Sequence, residues 1–455
     1  MRKLILSLAA TPLILGSIAV SAQAADDVAV AADSGFNIFS DVKFKGELRP
    51  RYQFTDKKDN LNNVGEDSKS GNQITNRANL NFNATLFEVD GLNAEIELNN
   101  VSDFGTQDPL VNDTGGEKVI SKISQANISY TNSGVTGILG RKTVNLDNQR
   151  FVGSVGWKQN FQTLDLVAVA YGTGGFNIIG AYVYGVNAIG DEGNVYGKRN
   201  LYAGGTGSGQ TTSAVVNASY KFMDPIKLTG YAYLLGSASD TYGLAATGKV
   251  AMGDSAKLTY RAELAMQTKA SLQTFDKGTI TTPIKDSLYG DAMYMNLDVG
   301  ANISGFLVGL NYEVLGGADK DKLDSTSAFQ TPLATKHKFN GWADQFLKTP
   351  DAGLADLNIR GGYKFDTAGK IIGIYHMFGA AADGNGQMTD ATKDIKAGDA
   401  YGQEFDIAYS AKIPGATGLT GLIKGAAYMG DDATSKGAKD ATMVWLQLDY
   451  KFATK

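Results

Sequence analysis

The sequence predicts an all-β fold: a transmembrane, antiparallel, up-and-down β-barrel of about 18 strands with short periplasmic turns, long extracellular loops and one short loop helix. Three observations lead to this prediction. Apolar and polar residues alternate with a period of two through many segments. Many of these segments are close to the ~9–11 residues that a tilted strand needs to cross a bilayer. The connections between them are alternately short and long.

The amino terminus predicts export. Basic Arg2 and Lys3 precede an apolar run at 4–20, and the small residues of 21–24 form an Ala-x-Ala cleavage site. We therefore predict a signal peptide at 1–24, an N-terminal extension at 25–40 and an outer-membrane β-barrel at 41–455. The alternative is an uncleaved membrane anchor, which the shortness of the apolar run disfavours.

Composition limits the possible chemistry. The chain has 455 residues, with 55 Gly, no Cys, two His and a net charge of -5. Without Cys there is no disulfide framework, thiolate metal site or cysteine nucleophile. With two His, a histidine-rich metal site is disfavoured, and no cofactor or metal is predicted.

The first predicted strand shows the alternation most clearly. In residues 41–54, DVKFKGELRPRYQF, one parity carries apolar side chains and the other carries charged ones. Because successive strand residues point to opposite faces, one face is apolar and the other is charged. The same pattern recurs at 74–86, 92–99, 214–222, 258–266, 293–303, 357–365 and 444–452, the last of which ends on Phe452. A soluble β-protein with an apolar interior would show the same alternation, but strand length and the turn pattern favour the membrane barrel.

The connections follow two classes. Short ones lie at 88–91, 131–134, 171–175, 223–225, 253–256, 303–305 and 366–369. Mostly long, polar ones lie between them, at 55–73, 101–118, 143–160, 187–211, 269–290, 316–356, 381–402 and 431–441. Tight periplasmic turns and longer outer loops are typical of outer-membrane barrels.

The charged parity is expected to line the lumen. Its basic members are Lys43, Lys45, Arg49, Arg51, Arg77, Arg261, Arg360 and Lys364. In a water-filled pore they attract anionic solutes. The equally supported alternative is that they pair with lumen carboxylates (Glu47, Glu95, Glu97 and Glu263) and only maintain the shape of the barrel.

Two outer loops have unusual compositions. Residues 139–166 combine basic Arg141, Lys142, Arg150 and Lys158 with Asp147, Asn148, Phe151 and Trp157, so we predict that this loop folds into the pore rather than capping it. In residues 331–348, Phe339, Trp342 and Phe346 recur at spacings of three and four. This spacing predicts a helix that packs on the rim or in the lumen, where it constricts the pore.

Enzyme interpretations receive little support. His337 lies in the predicted loop helix and His376 in a strand, and neither belongs to a recognisable Ser-His-carboxylate motif. A plugged barrel that acts as an enzyme around His376, or as a surface-binding protein, remains the alternative function. Residues 383–394 resemble a calcium loop through Asp383, Asn385, Gln387 and Asp394, but they lack its Gly and its final Glu.

Several stretches resemble the alginate-export family of bacterial outer-membrane proteins. They are residues 140–165 and 329–357, supported by 46–54 and 70–82. The resemblance implies an eighteen-stranded monomeric barrel with an arginine-lined constriction. It implies pore positions at Arg77, Arg141, Asn148, Arg150 and Lys158, and a loop-helix constriction at His337, Asn340, Trp342 and Asp344.

Together these observations predict an outer-membrane channel for passive diffusion of small polar solutes, with anions or acidic saccharides as candidates. Lumen Arg and Lys would attract the solute, and the inward loops would set the size limit. The expected partners are outer-membrane lipid, the solute and the barrel-insertion machinery. No nucleic acid is expected, and a monomer is favoured.

Overall fold

The computed structural model describes residues 37–58, 68–105, 116–189, 210–223, 225–236, 238–272, 291–318, 328–385, 394–431 and 440–454. The predicted signal peptide lies outside the described residues, as does most of the predicted extension, 25–40. The first strand begins at Phe39, inside the segment assigned to that extension.

The described residues form eighteen strands in one antiparallel sheet and two further two-residue strands that pair with each other. The strands are β1 Phe39–Lys58, β2 Ser68–Leu86, β3 Leu92–Asp103, β4 Ile120–Asn132, β5 Val135–Lys142, β6 Thr163–Thr173, β7 Phe176–Asn187, β8 Gln210–Met223, β9 Ile226–Leu235, β10 Ser239–Met252, β11 Ala256–Thr268, β12 Ala292–Ile303, β13 Phe306–Leu315, β14 Leu354–Lys364, β15 Lys370–Gly379, β16 Gly384–Asn385, β17 Asp394–Ile395, β18 Ala400–Lys412, β19 Leu419–Gly430 and β20 Ala441–Ala453.

The sheet closes on itself because β1 pairs with β2 on one side and with the last strand, β20, on the other. Each remaining barrel strand pairs with its neighbours in the sequence, which is the up-and-down order. The predicted fold class and strand number are therefore confirmed.

The period-two pattern corresponds to the two faces of this wall. On β1, Arg49, Arg51 and Gln53 are buried, whereas Leu48, which points to the opposite face, is 39% exposed. The other strands likewise expose large apolar side chains on the outside, among them Ile96, Val169, Leu244, Leu264, Val308 and Ile423. Exposed aromatic residues, including Phe82, Tyr130, Tyr220, Phe306 and Tyr450, lie near the strand ends joined by short turns. An apolar band bordered by aromatic residues is what a lipid-facing barrel surface requires.

The short turns lie at the predicted positions, and glycine allows the closest of them. At Gly91, φ is +83°, and a Cβ atom there would lie 2.1 Å from the backbone oxygen of Thr131. The long connections contain one exception. β9 ends at Leu235 and β10 begins at Ser239, so this outer connection is short, with Ala238 N–H donating to the Leu235 oxygen at 2.9 Å.

The predicted loop helix is much shorter in the structure than the sequence pattern suggests. Within 331–348 the helical part is a single 3₁₀ turn, Lys336–Lys338, and Phe339 after it is extended. Asn340, Gly341 and Asp344 have positive φ, which an α-helix cannot accommodate. Among the described residues, no helix has the length and apolar character needed to cross a membrane.

Candidate functional site

Two loops lie against the inward-facing side chains of the barrel. We call residues 143–162, between β5 and β6, the first inner loop, and residues 328–353, before β14, the second inner loop. A parallel bridge joins Val152 to Leu333, and Gly153 N–H donates to the Leu333 oxygen at 2.9 Å. Thr335 N–H donates to the Gln149 oxygen at 3.1 Å. The two loops therefore form one connected constriction inside the barrel. Arg141 and Lys142, assigned to the first loop from the sequence, lie at the end of β5.

A ladder of charges lines β1, β2 and β20 beside the first inner loop. Arg49 and Arg77 lie directly opposite each other, a pairing of like charges that would be destabilising alone. The Glu47 carboxylate bridges them, at 2.7 Å from Arg49 and 2.6 Å from Arg77. Arg49 also pairs with Asp449 at 2.7 Å and donates to the Gly156 oxygen at 3.0 Å. The ladder is thus internally compensated and also holds the loop backbone.

Arg51 lies beneath the first inner loop. Its side chain is fully buried, and its guanidinium pairs with Glu117 at 3.0 Å. It donates to the Gln447 side chain at 2.7 Å and to the Trp157 oxygen at 2.6 Å. Its guanidinium carbon is 4.1 Å from the centre of the Trp157 ring. These contacts tie Arg51 to the wall and to the first inner loop, which fits a role in positioning the loop.

Arg150 connects both loops to the opposite wall. Its guanidinium contacts the two Glu313 oxygens at 2.6 and 3.2 Å and donates to the Asn340 side-chain oxygen at 2.9 Å. It also lies 4.8 Å from the Phe339 ring centre. Burial would lower the pKa of Arg150, but the Glu313 carboxylate outweighs this effect and raises it. The charge of Arg150 is therefore fixed, because a paired guanidinium stays protonated.

The remaining predicted pore residues are also partnered. Arg141 pairs with Asp165 at 2.7 Å, and Arg360 pairs with Asp298 at 2.7 Å. Arg261 pairs with Glu263 at 2.8 Å and contacts Asp147. The backbone oxygen of Asn148 accepts from Lys338 at 2.9 Å, and Lys158 is half-buried in the first inner loop.

Each of the seven arginines among the described residues forms an ion pair with a carboxylate. Their side chains differ in exposure. Those of Arg51 and Arg150 are 0% and 2% exposed, whereas that of Arg360 is 29% exposed. This pairing agrees with the sequence-based alternative that lumen cations maintain the barrel shape, although most of the carboxylates involved were not predicted.

An aromatic cluster holds the middle of the first inner loop. Phe151 packs against Tyr231, Tyr233, Tyr294 and Phe329, with ring centres 5.1 to 6.1 Å apart. The tyrosine hydroxyls have polar partners, as buried phenols require: Glu263 and Glu313 accept from Tyr231 and Tyr294, and Asn217 donates to Tyr233. The cluster combines apolar burial with satisfied hydrogen bonds.

His337 forms the polar centre of the second inner loop. Its Nδ1 lies 2.8 Å from Asp344 and its Nε2 lies 2.7 Å from the ammonium of Lys424 on β19. Burial and the Lys424 charge lower the pKa of His337 to about 3, although Asp344 acts in the opposite direction. The ring is therefore neutral, with Nδ1–H donating to Asp344 and Nε2 accepting from Lys424. Its ring also stacks on Trp157, 4.9 Å away at 6°.

Wall carboxylates accept the backbone donors of the second inner loop. Ala343 N–H donates to Glu404 at 2.7 Å, and Trp342 N–H donates to Asp406 at 3.2 Å. The Asn340 side chain donates to Glu313 at 2.6 Å. The two backbone contacts replace intrahelical hydrogen bonds that the sequence pattern suggested, and they explain why the predicted helix does not form.

His376 contacts acids rather than a nucleophile. Its Nδ1 lies 2.9 Å from Asp356, its Nε2 lies 3.6 Å from Asp406, and its ring stacks on Phe378. Among the contacts described for His376, none is to a serine hydroxyl. Within the described part of the chain, no group of three or more His, Asp or Glu side chains has an arrangement that could hold a metal ion. Gln387, part of the weak calcium-loop pattern, lies outside the described residues.

Comparison with known proteins places the fold. No family model and no curated protein matches the chain. Among solved structures, OccAB4 of Acinetobacter baumannii aligns with a TM-score of 0.66 and 13% identity, over 91% of this chain and 99% of that one. OccK8 (OprE) of Pseudomonas aeruginosa aligns with a TM-score of 0.63 and 16% identity, over 91% and 98%.

A third similar structure is OpdK of Pseudomonas aeruginosa with vanillate, with a TM-score of 0.64 and 12% identity over 92% of this chain and 100% of that one. All three structures align over nearly their whole length and over more than nine-tenths of this chain. The chain therefore shares the barrel fold of these proteins. The comparisons do not identify the alginate-export family, and that resemblance stays a prediction.

Proposed function

We propose that this protein is an outer-membrane channel for passive diffusion of small polar solutes. One observation carries the proposal: a closed 18-stranded barrel has an apolar outer face, a charged inner face and two loops that narrow its interior. Lipid, which surrounds the outer face, and the barrel-insertion machinery are the proposed partners, and a monomer suffices. No reaction is proposed, because His376 contacts only carboxylates and a ring among its described contacts.

We further propose that anionic solutes are favoured and that they pass the partly exposed arginines. The side chains of four arginines are 11 to 29% exposed: Arg49, Arg141, Arg261 and Arg360. Asn148 and Lys158 lie in the first inner loop, whose Gly156 oxygen accepts a hydrogen bond from Arg49. A paired arginine keeps its charge and has further N–H donors for a carboxylate. The vanillate of the similar OpdK structure is itself an aromatic carboxylate. Acidic saccharides, alginate included, are candidate solutes of this proposed class.

Recording from planar bilayers tests both parts. We expect discrete conductance steps, and a reversal potential in a salt gradient that indicates anion preference. Arg360→Gln removes the most exposed of these charges and should shift the reversal potential toward cations. Lys412→Gln removes an exposed cation at a strand end and serves as the control. If the correctly folded protein gives no conductance steps, the proposed channel function is wrong. If the unmodified protein is selective for cations, the proposed anion preference is wrong.

The alternative, a plugged barrel with an enzymatic or surface-binding function, rests on the connection between the two inner loops. This alternative predicts a folded barrel that gives no conductance steps in planar bilayers. Liposome swelling with sugars and organic acids of graded size distinguishes the two, because a plugged barrel admits none of them.

A further inference from the structure

One lysine of the barrel wall contacts both inner loops. The Lys424 ammonium lies 4.0 Å from the Trp157 ring centre in the first inner loop and 3.9 Å from the Trp342 ring centre in the second. The ring of Trp445 on β20 lies 5.1 Å away. We call these residues, with His337, the Lys424 cage. An ammonium at such distances from indole rings is held by cation–π attraction, which strengthens when water is excluded. Lys424 is 6% exposed.

A hydrogen bond fixes the direction of the ammonium. Lys424 donates to His337 Nε2 at 2.7 Å, while His337 Nδ1 contacts Asp344 at 2.8 Å. The rings of Trp157 and His337 are nearly parallel, 6° apart, and both lie edge-on to Trp445. The cage thus joins the first inner loop, the second inner loop and two wall strands around one cation.

The backbone of the second inner loop fits the wall closely at the same place. A Cβ atom at Gly341 would lie 2.3 Å from a Glu404 carboxylate oxygen, and φ there is +84°. The following residues, Trp342 and Ala343, donate their N–H groups to Asp406 and Glu404. The close fit of the loop backbone to the wall goes together with the position of the Trp342 ring over Lys424. A shift of the loop would therefore move the ring.

We propose that Lys424 is the positioning residue that holds both inner loops in the lumen and thereby sets the width of the constriction. The inference deepens the proposed channel function and rests on it. Lys424 acts through Trp157, Trp342 and His337, and contact with the solute is not required. Without the ammonium, the two loops lose the group that they share on this wall.

The tryptophan content makes the cage directly observable. The chain contains three tryptophans, and all three belong to the cage. Tryptophan fluorescence, excited at a wavelength that tyrosine does not absorb, therefore reports on this cluster alone. In the unmodified barrel we expect blue-shifted emission and weak quenching by acrylamide. Ready quenching of all three tryptophans in the unmodified, folded protein would overturn the proposal without any variant.

The variant Lys424→Met keeps the length and apolar stem of the side chain and removes the charge. We expect about a twofold or greater increase in acrylamide quenching, because each ring loses its cation, together with larger or noisier single-channel conductance. Lys424→Arg should retain most of the unmodified behaviour, since a guanidinium also binds indole faces. Lys412→Met is the matched control at an exposed strand end. The shift between heated and unheated samples on denaturing gels verifies that each barrel has folded.

The outcomes separate this inference from the proposed function. If a folded Lys424→Met barrel shows unchanged quenching and conductance, Lys424 does not position the loops. If quenching rises while neither protein conducts, loop positioning stands and the channel proposal fails. If Lys424→Met does not fold, Trp342→Leu tests the same contact from the loop, and unchanged conductance and quenching of the remaining tryptophans would overturn the inference.

Discussion

The first inner loop is held at two places of opposite character. At Phe151 it packs into the aromatic cluster of Tyr231, Tyr233, Tyr294 and Phe329, where the rings are buried and the hydroxyls are satisfied. At Trp157 it belongs to the Lys424 cage, where one cation is shared among indole rings and a neutral histidine. The first contact depends on apolar burial, and the second depends on charge.

This difference assigns separate roles to the two places. The packing of the Phe151 ring involves no charge of its own, so it provides the less pH-dependent attachment. The cage contains His337, Asp344 and Lys424, whose charges respond to their surroundings. The constriction therefore has a permanent attachment on the side of β9 and β12 and an adjustable one near β19 and β20. Three perturbations, ordered from the largest expected effect to the smallest, test this division.

The largest effect is expected from Arg150, next to the Phe151 cluster. Arg150→Met leaves Glu313, 3% exposed at its side chain, without its cation. Removing one partner of a buried ion pair destabilises proteins by about 3–5 kcal/mol. We expect a loss of this order in the free energy of unfolding, measured by urea titration of the barrel in detergent micelles. The double variant Arg150→Met with Glu313→Leu should recover much of the loss. An equal or greater loss in the double variant would contradict the interpretation of the pair.

The Phe151 cluster itself should come next. Phe151→Ala removes a ring that is 8% exposed and leaves a cavity among four others. Phe-to-Ala substitutions in cores cost about 3 kcal/mol or more, and a loop that can partly collapse gives the lower value. Leu347→Ala, at a 41% exposed position of the second inner loop, is the control and should change stability little. Equal losses for both variants would mean that the Phe151 cluster is not the main attachment.

The residues of the barrel wall differ in how far the sequence predicts them. The alternation around Leu48 and Arg49 is local, so it predicts strand, face and register without knowledge of partners. The same reasoning could have identified Glu404 and Asp406, because QEFDIAY at 403–409 alternates like the strands that were recognised. Lys424 lies in LTGLIKGAAYMG, whose Gly and Ala residues weaken the period and conceal the inward parity.

Partnerships across the barrel could not be predicted. Arg51 and Glu117 are 66 residues apart, and Arg150 and Glu313 are 163 apart, yet each pair forms an ion pair. No local sequence pattern indicates such pairing, because it is the closed barrel with its inward loops that brings these distant residues together. The prediction of a loop helix failed for a related reason. Its aromatic spacing is helical, but the wall carboxylates Glu404 and Asp406 take the backbone donors that a helix would use.

The smallest perturbation is acidification, and its effect on the cage is followed through the three tryptophans. The pKa of His337 is lowered to about 3, against about 6.5 when it is released. Between these values the released loop binds the extra proton, so the contribution of His337 to docking is fully present above pH 6.5 and is lost as pH falls. At pH 5 the loss is about 2 kcal/mol. Asp344 acts in the same direction at lower pH: burial would raise its pKa, but His337, Lys158 and Lys57 outweigh this and lower it to about 2.

Acrylamide quenching of the three tryptophans, measured between pH 8 and pH 4.5, checks this prediction. Quenching should rise as pH falls below 6.5 in the unmodified protein. His337→Gln keeps one donor for Asp344 and one acceptor for Lys424 but does not titrate, so its curve should be flat over the same range. Because Glu404, Asp406 and Lys424 also face the cage, only the difference between the two curves belongs to His337. Parallel curves would place the pH response on those groups, and the adjustable attachment would then lie in the wall rather than in the loop.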